Sequence, residues 1–413
     1  MIFSKNNGGS SNRIIRNLSL GAFVRDAGQY VIWVIMTVYL NEVRSLSFID
    51  IGIIFMLAGL VSVPVSIMGG NLLDRFGRRS MAVVIPWIMC AISFSLFLLL
   101  YSNSEIIPII GLFIIAGPIQ SLQYVTMSSI ISDVTSNAER ISGFGALRIA
   151  SNVGIGVGLV LGGFLSQLNY SYVFLMSVAG YAVEGTIYYL QIPETSKRIT
   201  SGYAVPAEGN RIFIPYRDGF FIAIAIMTSI TWFFTGMFES ALTPLYMSSV
   251  NHYDTFSITM LFAINTAVVI FGQRPVNLLL TKIRDSRRII VGLVLYATAY
   301  MVFAGSSVYL IIGLAVVLLT IGENMTSPAT ESLITKIAPE DKRGAYLGFN
   351  SSIASLINPF RPIFGTVLLA DTVKTPSFSW VAISLISIGF ATIFLMVFRS
   401  MSSERKDSGL NQL

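Results

Sequence analysis

The chain has 413 residues, of which 54% are hydrophobic and only 12% charged, about half the charged share of an average soluble domain. Its net charge of +6 sits in short segments between long apolar blocks, which argues against a nucleic-acid surface and for a polytopic membrane protein. One cysteine, Cys90, excludes an internal disulfide and a cysteine metal cluster, and the single His252 excludes a histidine cluster.

In chain order, residues 1–17 are polar and basic (Lys5, Arg13, Arg16), and no small-residue cleavage site follows the first apolar run. The expectation is an uncleaved cytoplasmic N-terminus. Blocks long enough to cross a hydrocarbon core fall at 18–40, 48–69, 81–101, 106–131, 143–166 and 172–191. They resume at 219–247, 256–280, 289–305, 307–332, 344–370 and 376–398, making 12 predicted transmembrane helices. The segment 192–218, with Pro193, Pro206, Pro215, Lys197, Arg198, Arg211 and Arg217, reads as a cytoplasmic linker, and 399–413 as a cytoplasmic tail. With the N-terminus inside, 21 of the 27 Lys and Arg residues are cytoplasmic. The outer loops hold only Arg44 and Lys374, and Arg25, Arg148, Arg274 and Arg361 lie within spans. That bias places both termini in the cytoplasm of a plasma-membrane protein.

Between the second and third spans stands Gly70-Asn71-Leu72-Leu73-Asp74-Arg75-Phe76-Gly77-Arg78-Arg79. The second half carries a degraded copy: Asn277-Leu278-Leu279 followed by Lys282-Ile283-Arg284-Asp285-Ser286-Arg287-Arg288. Glu139-Arg140 after the fourth span is echoed by Asp341-Lys342-Arg343 after the tenth, and Ile192-Pro193-Glu194-Thr195 follows the sixth. The first stretch resembles the G-x-L-x-D-R-x-G-R-[KR] signature of the major facilitator superfamily, with every fixed position matched. The resemblance implies an all-α membrane protein of two pseudo-symmetric six-helix bundles, 1–191 and 219–398, working by alternating access. It also implies a conformational latch in which Asp133, at the end of the fourth span, meets Asp74, Arg75 and Arg78 in the loop that Gly70, Gly77 and Arg79 complete. Gly154, Gly158 and Gly162 recur every four residues in the fifth span and mark a face for close helix packing. No phosphate loop occurs, so transport would draw on a gradient.

An ionisable side chain within a span is costly, and so points to function by default. By helix rise, Arg25, Asp26, Arg148, Glu184 and Glu323 fall at one depth, with Glu239 and Arg361 nearer the outer face. Glu323, in Gly322-Glu323-Asn324 with Ser327 and Thr330 on the same face, resembles the helix-10 glutamate of drug:proton antiporters, where that residue serves proton coupling or cation binding. The proton-coupling candidates are therefore Glu323, Asp26, Glu184 and Glu239. In this superfamily the first, fourth, seventh and tenth spans line the cavity. That implies Tyr30, Trp33 and Thr37, then Gln120, Tyr124 and Met127, then Trp232 and Thr235, and Asn324 and Ser327 as lining residues, with Arg25, Arg148 and Arg361 able to meet an anion.

Two features depart from the antiporter pattern: Leu159 stands where the fifth span usually has proline, and the fourth span has Gln120 and Gln123 in place of an arginine. The first expectation is a proton-coupled exporter of amphipathic or cationic compounds. The alternative is an uptake symporter or facilitator for a sugar, organic acid or other metabolite. Neither a cofactor, a metal nor a catalytic residue is expected; the partners are a small molecule, protons and the bilayer, and the protein is expected to be a monomer.

Overall fold

The computed structural model describes residues 9–195, 218–339, 342–371 and 375–407, and regular structure among them is entirely helical. In order these are α1 (Gly9–Gln29), α2 (Ile32–Glu42), α3 (Phe48–Phe76), α4 (Arg78–Tyr101), α5 (Ile106–Val134), α6 (Asn137–Leu168) and α7 (Tyr172–Gln191). There follow α8 (Gly219–Thr235), α9 (Leu242–Ser249), α10 (Thr255–Leu279), α11 (Asp285–Gly305), α12 (Tyr309–Ile337), α13 (Arg343–Ile357), a 3-10 turn (Asn358–Phe360), α14 (Arg361–Asp371) and α15 (Ser377–Asp407). The linker residues 196–217, with all their prolines and basic groups, lie outside the described residues, as do Asp341, Lys374 and 408–413.

Ten helical stretches are long and apolar enough to cross a membrane, the α13–α14 pair counting as one. Their outward side chains are apolar, as lipid requires: Ile67, Ile107 and Phe271 are each more than 70% exposed. The remaining two expected spans, 18–40 and 219–247, are not continuous helices. The first breaks at Tyr30–Val31, between α1 and α2, and the seventh breaks over 236–241, between α8 and α9. In the seventh the cause is local. Pro244 has no N–H for the Ser240 carbonyl, and the Ser240 hydroxyl donates to the Met237 carbonyl at 2.6 Å. The backbone tightens to i→i+3 bonds from Met237, Glu239, Ser240 and Thr243.

The chain forms two compact units. Among the described residues, the first gathers 9–46, 54–195 and 253–266; the second gathers 47–53, 218–252 and those from 267 on. In the first unit α1 is the central element, held between α6 and α7. Side chains there are minimal where backbones meet: a Cβ on Gly154 or Gly158 would overlap the Phe23 or Ala27 carbonyl, and one on Gly180 would stand 2.7 Å from the Val24 carbonyl. This grip fixes the rotation of α1, and with it Arg25 and Asp26. Towards one end, Ile14, Leu18, Met127, Ile130, Leu147 and Tyr188 close an apolar core. The second unit is centred on Trp380, fully buried, stacked on Tyr300 at 5.2 Å and met edge-on by Phe303 and Tyr246.

Candidate functional site: two buried charge clusters and a cavity

In the first unit Arg25, Asp26 and Glu184 come together. The Arg25 Nε and Nη2 donate to the two oxygens of Asp26 at 2.8 and 2.9 Å, and Nη1 donates to Glu184 Oε1 at 3.3 Å. Gln123 on α5 donates to the same oxygen at 3.1 Å. Glu184 is completely buried, and its Oε2 has no hydrogen-bond partner among the described residues. Two carboxylates therefore face one guanidinium, an excess of one negative charge unless a proton is held there.

Above this cluster, on the same face of α7, opens a cavity of 470 Å³. Its floor is made by buried residues of α4 and α7, among them Met89, Ser93, Leu96, Phe174, Ser177 and Tyr181. Its rim is made by the break after α1 (Tyr30, Trp33) and by α3 and α5 (Phe55, Phe113, Gln120). The break thus lies where the cavity begins.

The second unit repeats the charge composition. Glu239 in the α8–α9 break, Glu323 on α12 and Arg361 at the start of α14 line one small cavity of 40 Å³ with Trp232, Thr235 and Tyr296. Arg361 is anchored by donating Nη2 to the Trp232 carbonyl at 3.0 Å and to Asn358 Oδ1 at 2.9 Å. Tyr300 donates to the Phe234 carbonyl at 2.8 Å. The Trp232 and Phe234 carbonyls also accept from the backbone N–H groups of Gly236 and Met237, so each side chain adds a second donor at the helix end and pins the break. Glu323 shares this cavity with Glu239 and Arg361, so the expected separation by depth is corrected. Side chains lean towards the start of their own helix, which carries Glu323 towards the Tyr309 end of α12.

Near the α3–α4 turn, Arg78 pairs with Asp133 and reaches Asp74 at 3.9 Å. Thr195 donates to Asp133 at 3.0 Å, and Glu194 accepts from the backbone N–H groups of Arg78 and Arg79, both at 3.2 Å, capping α4. Arg79 also donates to the Tyr189 carbonyl. Gly77 has φ 85°, which only glycine adopts without strain. Two expected members stand elsewhere: Arg75 lies over the Phe76 ring at 5.4 Å, and Gly70 sits within α3 with open space around its Cβ position. In the second half Asp285, at the start of α11, pairs with Lys336 near the end of α12 at 2.6 Å and accepts from Ser332. This ion pair carries its charges in the opposite order.

The expected cavity residues divide. Tyr30, Trp33 and Gln120 line the first cavity, and Trp232 and Thr235 the second. Thr37 is instead fully buried and donates to the Trp33 carbonyl, Met127 belongs to the apolar core, and Tyr124 is 71% exposed. Asn324 donates to the Val268 carbonyl at 3.1 Å. Ser327 is buried, its carbonyl accepting from Thr330. Arg148 is exposed on α6. Sequence reading missed Tyr181, Tyr300, Asn358 and Lys336 as members of these sites, and met Asp285 only within the degraded second-half copy; the signal of the other four is contact with a charged or interrupted segment, which spacing does not carry.

A sequence model described as the Major Facilitator Superfamily matches residues 18–360. The chain belongs to this superfamily. The superfamily members it resembles include the uncharacterized MFS-type transporter YttB of Bacillus subtilis, 24% identical over 97% of this chain and 99% of that one. Multidrug resistance protein 1 of the same organism is 25% identical over 85% of this chain and 88% of that one. Among solved structures, a point variant of the nucleoside transporter NupG superposes with a TM-score of 0.75 at 12% identity, covering 94% of this chain and 99% of that one. The protein is accordingly a multi-pass membrane transporter of the major facilitator fold, and its family moves small molecules.

Proposed function

We propose that the protein is a proton-coupled exporter of amphipathic or cationic compounds in the cell membrane. It acts as a monomer with bundles 1–191 and 219–398, linker 192–218 and tail 399–413, and both termini are cytoplasmic. The observation that carries the coupling is the buried cluster of Arg25, Asp26 and Glu184. One guanidinium balances one carboxylate; the other is neutral only when protonated, and an apolar interior penalises the unbalanced charge. Proton loss and gain at this cluster would bias one orientation of the transporter, and substrate the other. The Glu239–Glu323–Arg361 group supplies a second such balance, with Glu323 and Glu239 as its acids. Similarity to a multidrug resistance protein supports export. Arg25 and Arg361 are already engaged by carboxylate, carbonyl and amide oxygens, which favours this reading over uptake of an anionic metabolite.

The test uses purified protein in liposomes with an imposed pH gradient, recording proton release on adding lipophilic cations, sugars or organic acids. Cation-triggered proton efflux that Glu184→Gln and Glu323→Gln each reduce at least tenfold supports antiport. Proton movement together with a sugar or acid, or full coupled flux in both variants, overturns it.

A further inference from the structure

The 470 Å³ cavity of the first unit has a chemistry distinct from the charge cluster beneath it. Six aromatic rings come from four helices and the break after α1: Tyr30, Trp33, Phe55, Phe113, Phe174 and Tyr181. Tyr30 and Trp33 meet edge to face at 6.4 Å, and Phe55 and Phe113 lie 5.0 Å apart, so the walls present both ring faces and edges. The polar lining consists of amides and hydroxyls, Gln29, Gln120 and four serines beside the two tyrosines, and among the described residues no charged side chain lines the cavity. An ion would enter without a counter-charge, whereas an uncharged molecule loses little water and gains ring contacts. The volume falls within the range of small-molecule sites, roughly 300–1,000 Å³.

A second observation concerns Tyr181. It lies on the floor, is 1% exposed, and its hydroxyl has no hydrogen-bond partner among the described residues. A buried hydroxyl left unpaired is costly, and an acceptor on a bound molecule would relieve it. The neighbouring Ser93 and Ser177 hydroxyls are 3.0 Å apart and can donate only one proton to each other, leaving the second available.

We propose that this cavity, lined by residues of the first unit, is a binding site for an uncharged, planar aromatic compound carrying one hydrogen-bond acceptor, to which the Tyr181 hydroxyl donates. The site stands apart from the coupling reading: it needs no gradient, and its ligand carries no charge. Because α7 places Tyr181 one turn before Glu184, an occupant rests on the roof of the charge cluster.

The test measures equilibrium binding of 9-fluorenone and of fluorene, its analogue without the carbonyl, to the full chain in nanodiscs at symmetric pH. Protein-free nanodiscs give the partitioning background. One saturable fluorenone site per chain is expected. Tyr181→Phe should weaken fluorenone roughly three- to tenfold, one hydrogen bond's worth, and leave fluorene unchanged. Ala116→Phe, and independently Ser62→Leu, fill the wall and should remove both ligands, with size-exclusion profiles reporting the fold. Uptake that never saturates, or equal loss of both ligands in Tyr181→Phe, overturns the proposal. So does a phospholipid co-purifying with the wild type, displaced by fluorenone and absent from Ala116→Phe, which would assign the cavity to an acyl chain. The pH-gradient coupling of the wild type and of Glu184→Gln bears on the exporter reading alone, so the two can fail separately.

Discussion

Removing the Arg25 guanidinium leaves Asp26 and Glu184 as two carboxylates in an apolar interior. Arg25→Met should cost about 3–5 kcal/mol, the penalty of stranding a buried charge, and should appear as lost yield or a lower unfolding temperature. Adding Asp26→Asn removes one stranded charge and should recover most of that loss. A pair of variants no more stable than the single one would mean that the cluster is not electrostatically coupled. Gly77 offers a second residue-scale test. With φ 85° it should lose about 1–3 kcal/mol as Gly77→Ala, while Gly70→Ala, inside α3 with open space, should be neutral or slightly stabilising. The sequence made the charges visible as exceptions in apolar runs, and it made the Arg78–Asp133 pairing visible through a motif. It did not reveal which charges meet, because Arg25 and Glu184 are 159 residues apart and neither helix's rotation is written in its own spacing. Gln123 shows the same limit: it attracted notice for standing where an arginine is usual, not as the donor to Glu184.

At the scale of elements, the two interrupted helices decide where the cavities form. Both open the first span of a half, one at Tyr30–Val31 and the other over 236–241, and the residues at each break line a cavity. Arg361 holds the second break by donating to the Trp232 carbonyl. Arg361→Lys keeps the charge but lacks the planar fork, so faster hydrogen exchange over 232–241 is expected, with the rest of the unit unchanged. Another end-of-helix effect is pH-dependent. Glu139 accepts from the Ser136 hydroxyl and backbone N–H, which hold its carboxyl below the usual range. A depressed acid stabilises above its unfolded pKa of about 4.3 and ceases to do so as pH falls through its lower folded value. Protection of the amides in the first turn of α6, measured against their intrinsic exchange rates, should therefore fall below about pH 4, and already at pH 7 in Glu139→Ala. Ten spans were legible from apolar length alone. The breaks were not, because their runs stay apolar; over 236–241 the tight turns depend on the Ser240 hydroxyl and on Pro244 acting together.

At the scale of the molecule, the two halves share one plan with different details: an interrupted first span, one guanidinium among two carboxylates, and an ion pair between neighbouring spans. The two ion pairs differ in sign. The first pairs a basic helix start, Arg78, with an acidic helix end, Asp133; the second pairs an acidic start, Asp285, with a basic end, Lys336. During synthesis, twelve similar helices must choose partners, and two repeats of one plan invite exchange of equivalent segments. With the signs reversed, each wrong pairing of a start with the other half's end sets Arg78 against Lys336, or Asp133 against Asp285, and like charges repel. Fidelity of assembly is thus written into the order of two ion pairs. Exchanging the signs of the first latch alone, by Arg78→Asp with Asp133→Arg, keeps its attraction but erases the distinction. The folded yield of that variant should fall, and reversing Asp285 and Lys336 as well should restore it.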